Sequence, residues 1–335
     1  MKGSGVRPAS LWYGSHPLSI LLLPLSGVFG LLVSLRRFAY ETGMLRRHKL
    51  PVPVIVIGNI TVGGTGKTPL VIWLVESLRG AGYRPGVVSR GYGGDTARMP
   101  QLVTADSDPV AVGDEPVLIA QRAACPVAVA PRRVMAARAL IADHDCNVIV
   151  SDDGLQHYAL ERDMEIAVID GERRLGNGHY LPAGPLREQA TRLRRVDIMV
   201  VNGKALPGEC RMQLVGTTTQ SLVDAHVKRD LGEWRDARVH AVAGIGNPAR
   251  FFDQLRGQGL KVVEHPFPDH HRFRAADLRF GDDLPVVMTE KDAVKCRAFA
   301  APNHWYVPVS ARFDADCQRR LQHLLAKIKP HGSTG

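Results

Sequence analysis

An apolar run passes directly into a glycine-rich turn and then into a helical pattern at residues 54–79, and no other segment constrains the chain as much. Residues 54–57 read Val-Ile-Val-Ile, a run of the length and branching of a buried strand. The turn is Gly58-Asn59-Ile60-Thr61-Val62-Gly63-Gly64-Thr65-Gly66-Lys67-Thr68, and residues 67–79 have helical spacing. Glycines let backbone N–H groups converge on anionic oxygens, and a helix N-terminus adds partial positive charge. In that setting Lys67 can bridge β- and γ-phosphates and the Thr68 hydroxyl can ligate Mg²⁺. Gly63, Gly64, Thr65, Gly66, Lys67 and Thr68 are therefore the candidate nucleotide-binding residues, with ATP and Mg²⁺ as the implied ligands. The turn departs from the G-x-x-x-x-G-K-[ST] pattern in one respect. The first glycine falls on Thr61, and Gly63 and Gly64 supply the conformational freedom instead.

The rest of the chain supplies a sheet to carry this turn. Apolar runs at 86–89, 127–130, 148–150, 166–169 and 198–201 alternate with helical patterns at 116–122 and 132–142. Continuous apolar strands between helices predict a parallel sheet covered on both faces. From about 207 to 236 the pattern weakens, with threonines at 217–219, and reads as a linker with room for two short strands. A second alternation follows at 239–243, 248–256, 261–264, 286–289 and 305–309. The expected organisation is an N-terminal helix (14–40), a phosphate-loop domain (41–207), a linker (208–236) and a smaller C-terminal α/β lobe (237–330).

Val148-Ile149-Val150-Ser151-Asp152-Asp153-Gly154 is a strand ending in carboxylates, at the end where ligands of open α/β sheets bind. Asp152 can hold Mg²⁺ directly or through water, and Asp153 is a second candidate metal contact. Residues 17–35 contain no charged side chain, close to the roughly 20 residues that cross a bilayer. Arg36, Arg37, Arg46, Arg47 and Lys49 follow this run, against Lys2 and Arg7 before it, which predicts a membrane helix with the remainder of the chain cytoplasmic. A core helix and a cleaved signal peptide are the alternatives; Arg36-Arg37-Phe38 does not resemble a cleavage site. The formal charge is +10, which favours anionic partners or a solvated arginine-rich surface. The five cysteines form no C-x-x-C pair, and neither a disulfide framework nor a zinc site is indicated.

Further blocks are absent from generic phosphate-loop proteins: Ser89-Arg90-Gly91-Tyr92-Gly93, Val112-Gly113-Asp114-Glu115-Pro116, Asp152-Asp153-Gly154-Leu155-Gln156-His157, Leu181-Pro182-Ala183-Gly184-Pro185-Leu186-Arg187-Glu188, Phe267-Pro268-Asp269-His270-His271 and Thr289-Glu290-Lys291-Asp292. In this order the chain resembles the tetraacyldisaccharide 4′-kinases over about 17–310. The resemblance implies a P-loop α/β/α sandwich with a smaller α/β lobe and an N-terminal membrane helix. It implies ATP-dependent phosphorylation of the 4′-hydroxyl of a tetraacylated glucosamine disaccharide 1-phosphate, at the cytoplasmic face of the inner membrane. The implied partners are that lipid and the membrane lipids; no nucleic acid and no obligate protein partner is indicated.

On the same resemblance Asp114 is the catalytic carboxylate and His270 its partner, with Lys67 and Arg187 acting on the transferred phosphoryl group and Glu188 near the nucleotide. The residues alone leave alternatives. Asp114 could cap the helix that follows, His271 could replace His270, and Arg187 with Glu188 could form a surface ion pair. A partitioning-type ATPase switch shares the loop but usually carries a lysine where this chain has Val62. A GTPase is disfavoured because Asn202-Gly203-Lys204-Ala205 lacks the base-reading aspartate.

Overall fold

The computed structural model describes residues 8–14, 16–91 and 100–328. Tyr92 and Gly93 of the Ser89 block, and Lys2 and Arg7 before the apolar segment, lie outside the described residues. The first part of the chain forms β1 (Val54–Gly58), β2 (Pro85–Ser89), β3 (Gln101–Val103), β4 (Val127–Val129), β5 (Val148–Ser151), β6 (Met164–Asp170), β7 (Ile198–Asn202) and β8 (Cys210–Val215). It continues through β9 (Thr218–Ser221), β10 (Lys228–Asp230), β11 (Arg238–Ala243), β12 (Lys261–Pro266), β13 (Val286–Thr289), β14 (His304–Val307) and β15 (Ser310–Phe313).

Among the described residues these strands make two sheets, ordered β15-β8-β7-β6-β1-β5-β2-β4-β3 and β10-β9-β14-β13-β11-β12. In the first, every neighbouring pair from β8 to β4 is parallel, and only the edge pairs with β15 and β3 are antiparallel. Side chains alternate along a strand. Ile55 and Ile57 therefore pack under the helices Lys67–Gly80 and Asp114–Ala123, while Val54 and Val56 pack toward the helix Arg133–His144. All four residues are buried, which is why β1 reads as an unbroken apolar run.

Residues 208–236, expected as a linker with two strands, join the two sheets: β8 belongs to the first while β9 and β10 belong to the second. The C-terminal lobe does not extend to 330. β15 pairs with β8, and Cys317 and Leu321 of the helix Ala315–Ala326 enter the first core. Antiparallel pairing outweighs the local pattern here: β8 with β15, and β9 with β14, form a ribbon that runs from one sheet to the other. It passes through Gly216, where a Cβ would lie 2.7 Å from the Pro308 carbonyl oxygen. Cys210 and Cys317 are joined in a disulfide across 107 residues, a pairing that the cysteine spacing did not indicate. β8 and the last helix bring together two cysteines that sequence spacing does not relate.

The apolar N-terminal segment is not one helix. It divides into Pro17–Leu21 and Leu23–Glu41, because the Pro24 ring and missing N–H interrupt the first helix. Among the described residues no helix is long and apolar enough to cross a membrane. The longer helix buries only Ser26 and Gly30, whereas Leu25, Val28, Leu31, Leu32, Leu35 and Phe38 are exposed. Its docking point is Tyr180: the Ser26 hydroxyl donates to the Tyr180 carbonyl at 2.7 Å, and the Tyr180 ring lies over Gly30. Overpacking a tight site costs about 1–3 kcal/mol. Gly30→Leu should therefore expose the connection to β1 to limited proteolysis, with the melting of the sheet unchanged. Undiminished protease resistance would mean that Gly30 is not what docks the helix.

Candidate active site

The strands β7, β6, β1, β5 and β2 point their C-terminal ends toward one cleft of about 910 Å³ between the two lobes. The phosphate loop forms one wall. Gly63 and Gly66 have φ of 111° and 92°, which only glycine adopts freely. A side chain at Gly66 would also strike Asn202, whose amide donates to the Thr65 carbonyl at 3.0 Å. Asn202, read in the sequence only as evidence against guanine binding, thus braces the loop.

Lys67 opens the helix Lys67–Gly80 and lies 3.5 Å from Asp153. Arg187 grips the same carboxylate through two bonds, of 2.8 and 2.9 Å, and also donates to Asn59. Burial raises the Asp153 carboxyl, but the Lys67 and Arg187 charges outweigh it and hold it far below the ordinary carboxylate range. Asp153 is therefore ionised and committed to cations, and Arg187 is not in a surface pair with Glu188. Asp152 is fully buried, and neither of its carboxylate oxygens has a hydrogen-bond partner among the described residues. Burial raises its affinity for a proton, helped by Glu115 and opposed by Lys67. An orphaned buried carboxylate next to the loop of Thr68 supplies the hard oxygen donors that Mg²⁺ takes, with phosphate and water completing its shell. Among the described residues no group of three His, Cys, Asp or Glu side chains is placed to hold a metal ion without such help.

The second pair of predicted residues lines the same cleft, Asp114 on a helix packed against Lys67–Gly80 and His270 from the second lobe. Asp114 is the first residue of its helix, and Gly113 holds the cap position. Its Oδ1 accepts from the Glu115 N–H at 2.9 Å, and its Oδ2 faces His270 Nδ1 at 3.2 Å across the lobe boundary. Burial raises the Asp114 carboxyl, but the His270 hydrogen bond and the charges of Lys291, His270 and Lys295 bring it well below its ordinary value. The same bond to Asp114 raises the His270 imidazole. His271 turns elsewhere, to Asp277 at 3.1 Å and to the rings of Phe267 and Phe273.

Glu188, expected near the nucleotide, is buried away from the cleft, so that expectation is corrected. It accepts from Gln156 at 2.7 Å and from the Tyr158 hydroxyl, and lies 3.5 Å from Arg192. These bonds anchor the backbone that presents Arg187. Sequence reasoning missed Arg133, a buried guanidinium that lines the cleft and donates to the Asp153 carbonyl at 2.9 Å. An arginine at a helix start reads as a surface residue. It also missed Asp170, at the end of β6, which pairs with Arg250 of the second lobe at 2.9 Å. The strand-then-aspartate pattern seen at Asp152 recurs there and was the available signal.

The chain matches the family profile of the tetraacyldisaccharide-1-P 4′-kinases over residues 18–327. It is 55% identical to the tetraacyldisaccharide 4′-kinase of Nitrosococcus oceani, over 94% of this chain and 93% of that one. It is 52% identical to that of Alkalilimnicola ehrlichii, over 92% of each. The crystal structure of LpxK from Aquifex aeolicus in complex with ATP superposes with a TM-score of 0.75 at 27% identity, covering 92% of this chain and 99% of that one. With a phosphate loop, a carboxylate pair behind it and a matching profile over nearly its whole length, the chain belongs to the tetraacyldisaccharide-1-P 4′-kinase family.

Proposed function

We propose that this chain transfers the γ-phosphoryl group of ATP to the 4′-hydroxyl of a tetraacylated glucosamine disaccharide 1-phosphate, a step of lipid A biosynthesis. The observation that carries this reading is that Lys67 and the Asp114–His270 pair line one cleft, with Lys67 and Asp114 opening two helices that pack against each other. The sugar oxygen attacks the γ-phosphorus, the bond to the β–γ bridging oxygen breaks, and ADP leaves with that oxygen. The hydroxyl proton passes to the Asp114–His270 pair, which acts as one acid–base unit. Lys67, with Arg187 and Arg133 behind Asp153, supplies positive field where charge builds up. Mg²⁺, held by Thr68 and Asp152, would neutralise phosphate charge when bound. The direct test is transfer of labelled γ-phosphate from ATP to a tetraacyl disaccharide 1-phosphate in detergent micelles.

The site of action in this reading is the cytoplasmic face of the inner membrane. The exposed apolar face of the helix Leu23–Glu41 suits a helix lying in the bilayer surface rather than spanning it. At the C-terminal end of that helix a smaller cleft of about 240 Å³ is lined by Arg37, Arg47, Arg162, Arg192 and Arg195 together with Glu41, Glu161 and Glu165, so its lining is positive in balance though Glu41 and Glu165 are paired with arginines. Removing residues 1–36 should release much of the protein from anionic vesicles and raise KM for the lipid more than it lowers kcat. Full retention on vesicles would place the membrane contact elsewhere.

Lys67→Ala should lower kcat by about 10³-fold or more, an electrostatic contribution of roughly 4 kcal/mol. Unchanged turnover at saturating Mg-ATP would sink the phosphate-loop assignment. Asp114→Asn and His270→Ala should each lower kcat with little change in ATP affinity. The double variant should be scarcely worse than the more damaged single one, because members of one unit are non-additive. Losses that multiply would mean the two residues act independently.

A further inference from the structure

The Thr289-Glu290-Lys291-Asp292 block has no part in the chemistry above, yet its helix Glu290–Cys296 packs against the helix that carries Asp114. Three of its residues have structural duties. Thr289 caps the helix by accepting from the Asp292 N–H at 3.2 Å. Glu290 meets Arg122 at 2.6 Å. Asp292, fully buried, accepts from the Gly244 N–H at 2.8 Å and pins the helix to the end of β11. Lys291 is different: it lines the cleft.

The Lys291 ammonium lies 3.0 Å from Glu115 and 4.0 Å from Asp114 on the first lobe. On its own lobe it lies 3.4 Å from Asp269 and 3.5 Å from His270 Nε2. We propose that Lys291 is a positioning residue for the Asp114–His270 pair, the cation that joins the lobes across it and opposes a second proton on the His270 ring. This rests on the reading of the pair as proton acceptor. An ammonium has donors only, so at 3.5 Å it favours a lone pair on Nε2, whereas Asp269, 3.9 Å from the same nitrogen, favours a proton there. With Nε2 accepting, the ring proton sits on Nδ1 and is donated to Asp114. A second proton on the ring would put two like charges face to face.

The surrounding charges fix the sign. The groups facing this cluster are Asp114 and Glu115 from the first lobe, Asp269 and His270 from the loop, and Asp292 and Lys295 from the helix itself; Glu290 is occupied by Arg122. Without Lys291, Lys295, 3.7 Å from Asp114, is the permanent cation that remains among the described residues named above, against Asp114, Glu115 and Asp269. Both members of the pair then bind a proton more readily, since the Lys291 charge lowers the affinity of each.

The test is the pH dependence of kcat in the full-length enzyme with ATP and lipid substrate. In Lys291→Met the acidic limb should move up by roughly one pH unit. Turnover should then fall about tenfold below the limb and recover above it, with KM for ATP little changed. Imidazole nitrogen shifts of His270 should report the same upward titration. Lys291→Arg should return the limb toward its original position. If the methionine variant does not fold, Lys291→Gln removes the charge while keeping a donor for Glu115 and Asp269. A loss of kcat equal at all pH values, with the limb unmoved, would make Lys291 a structural pin and overturn the inference. Asp114→Asn runs alongside: normal turnover there overturns the proton-acceptor reading and this inference with it, whereas a dead Asp114→Asn with an unshifted Lys291→Met overturns this inference alone.

Discussion

A carboxylate taken out of water at a boundary between two lobes is tolerable only where cations meet it, and Asp114 is such a carboxylate. Only 6% exposed, it starts a helix of the first lobe, while His270, Lys291 and Lys295 all come from the second. Burying one charge costs several kcal/mol unless its partners are well placed. The lobes therefore cannot drift apart without stranding Asp114 and Glu115 on one side and two lysines on the other. The ribbon at Gly216 ties the lobes covalently, and this seam of charge sets how they face each other. On the other side of the cleft Asp170 meets Arg250, and Arg173 donates to the Gly246 carbonyl. Gly246 packs so closely on Gly64 that a side chain there would clash with the phosphate loop.

The phosphate loop depends on a different kind of constraint. Its backbone must be open to a ligand on one side, so its rigidity has to come from behind. β1 lies in the interior of its sheet, with β5 and β6 as neighbours, and both its faces are buried. Asn202 at the end of β7 and Asn59 within the loop hold Thr65 and its surroundings. The charges are arranged in the same way. Asp153 is neutralised by Lys67 and Arg187, so that lysine has a partner before any phosphate is present and can exchange one anion for another. Among the described residues Asp152 has no hydrogen-bond partner, which leaves a buried carboxylate where a divalent ion would relieve it.

The elements legible in the sequence were those whose signal is local. The turn at Gly63–Lys67 announces itself because glycine, strand and helix are contiguous, and Asp152 follows from an apolar strand ending in an acid. The pairing of Asp114 with His270 was available only through the family resemblance, since 156 residues separate them and neither has a local signature. Preference between His270 and His271 was unreadable because both follow Asp269; only the backbone turn at His270, with φ of 58°, decides which ring reaches Asp114. β15, β8 and the Cys210–Cys317 link escaped for the same reason, since their partners lie about a hundred residues apart. Glu188 was misplaced because adjacency to Arg187 suggests a shared role, whereas Arg187 lines the cleft and Glu188 is buried against Gln156, Tyr158 and Arg192.

The segment that contains both residues also explains how the exposed N-terminal helix relates to the chemistry. Tyr180 receives Ser26 and Gly30 of that helix, and Trp12 donates its indole N–H to the Pro182 carbonyl at 3.0 Å. A few residues on, the Pro185 carbonyl accepts from the Val62 N–H at 2.9 Å and the Arg187 N–H donates to the Ile60 carbonyl at 2.7 Å. One short stretch of backbone thus holds the apolar helix at one end and the phosphate loop at the other. A change at either end of this stretch is therefore felt at the other without passing through the second lobe, whose own contribution is to bring His270 and Lys291 to Asp114.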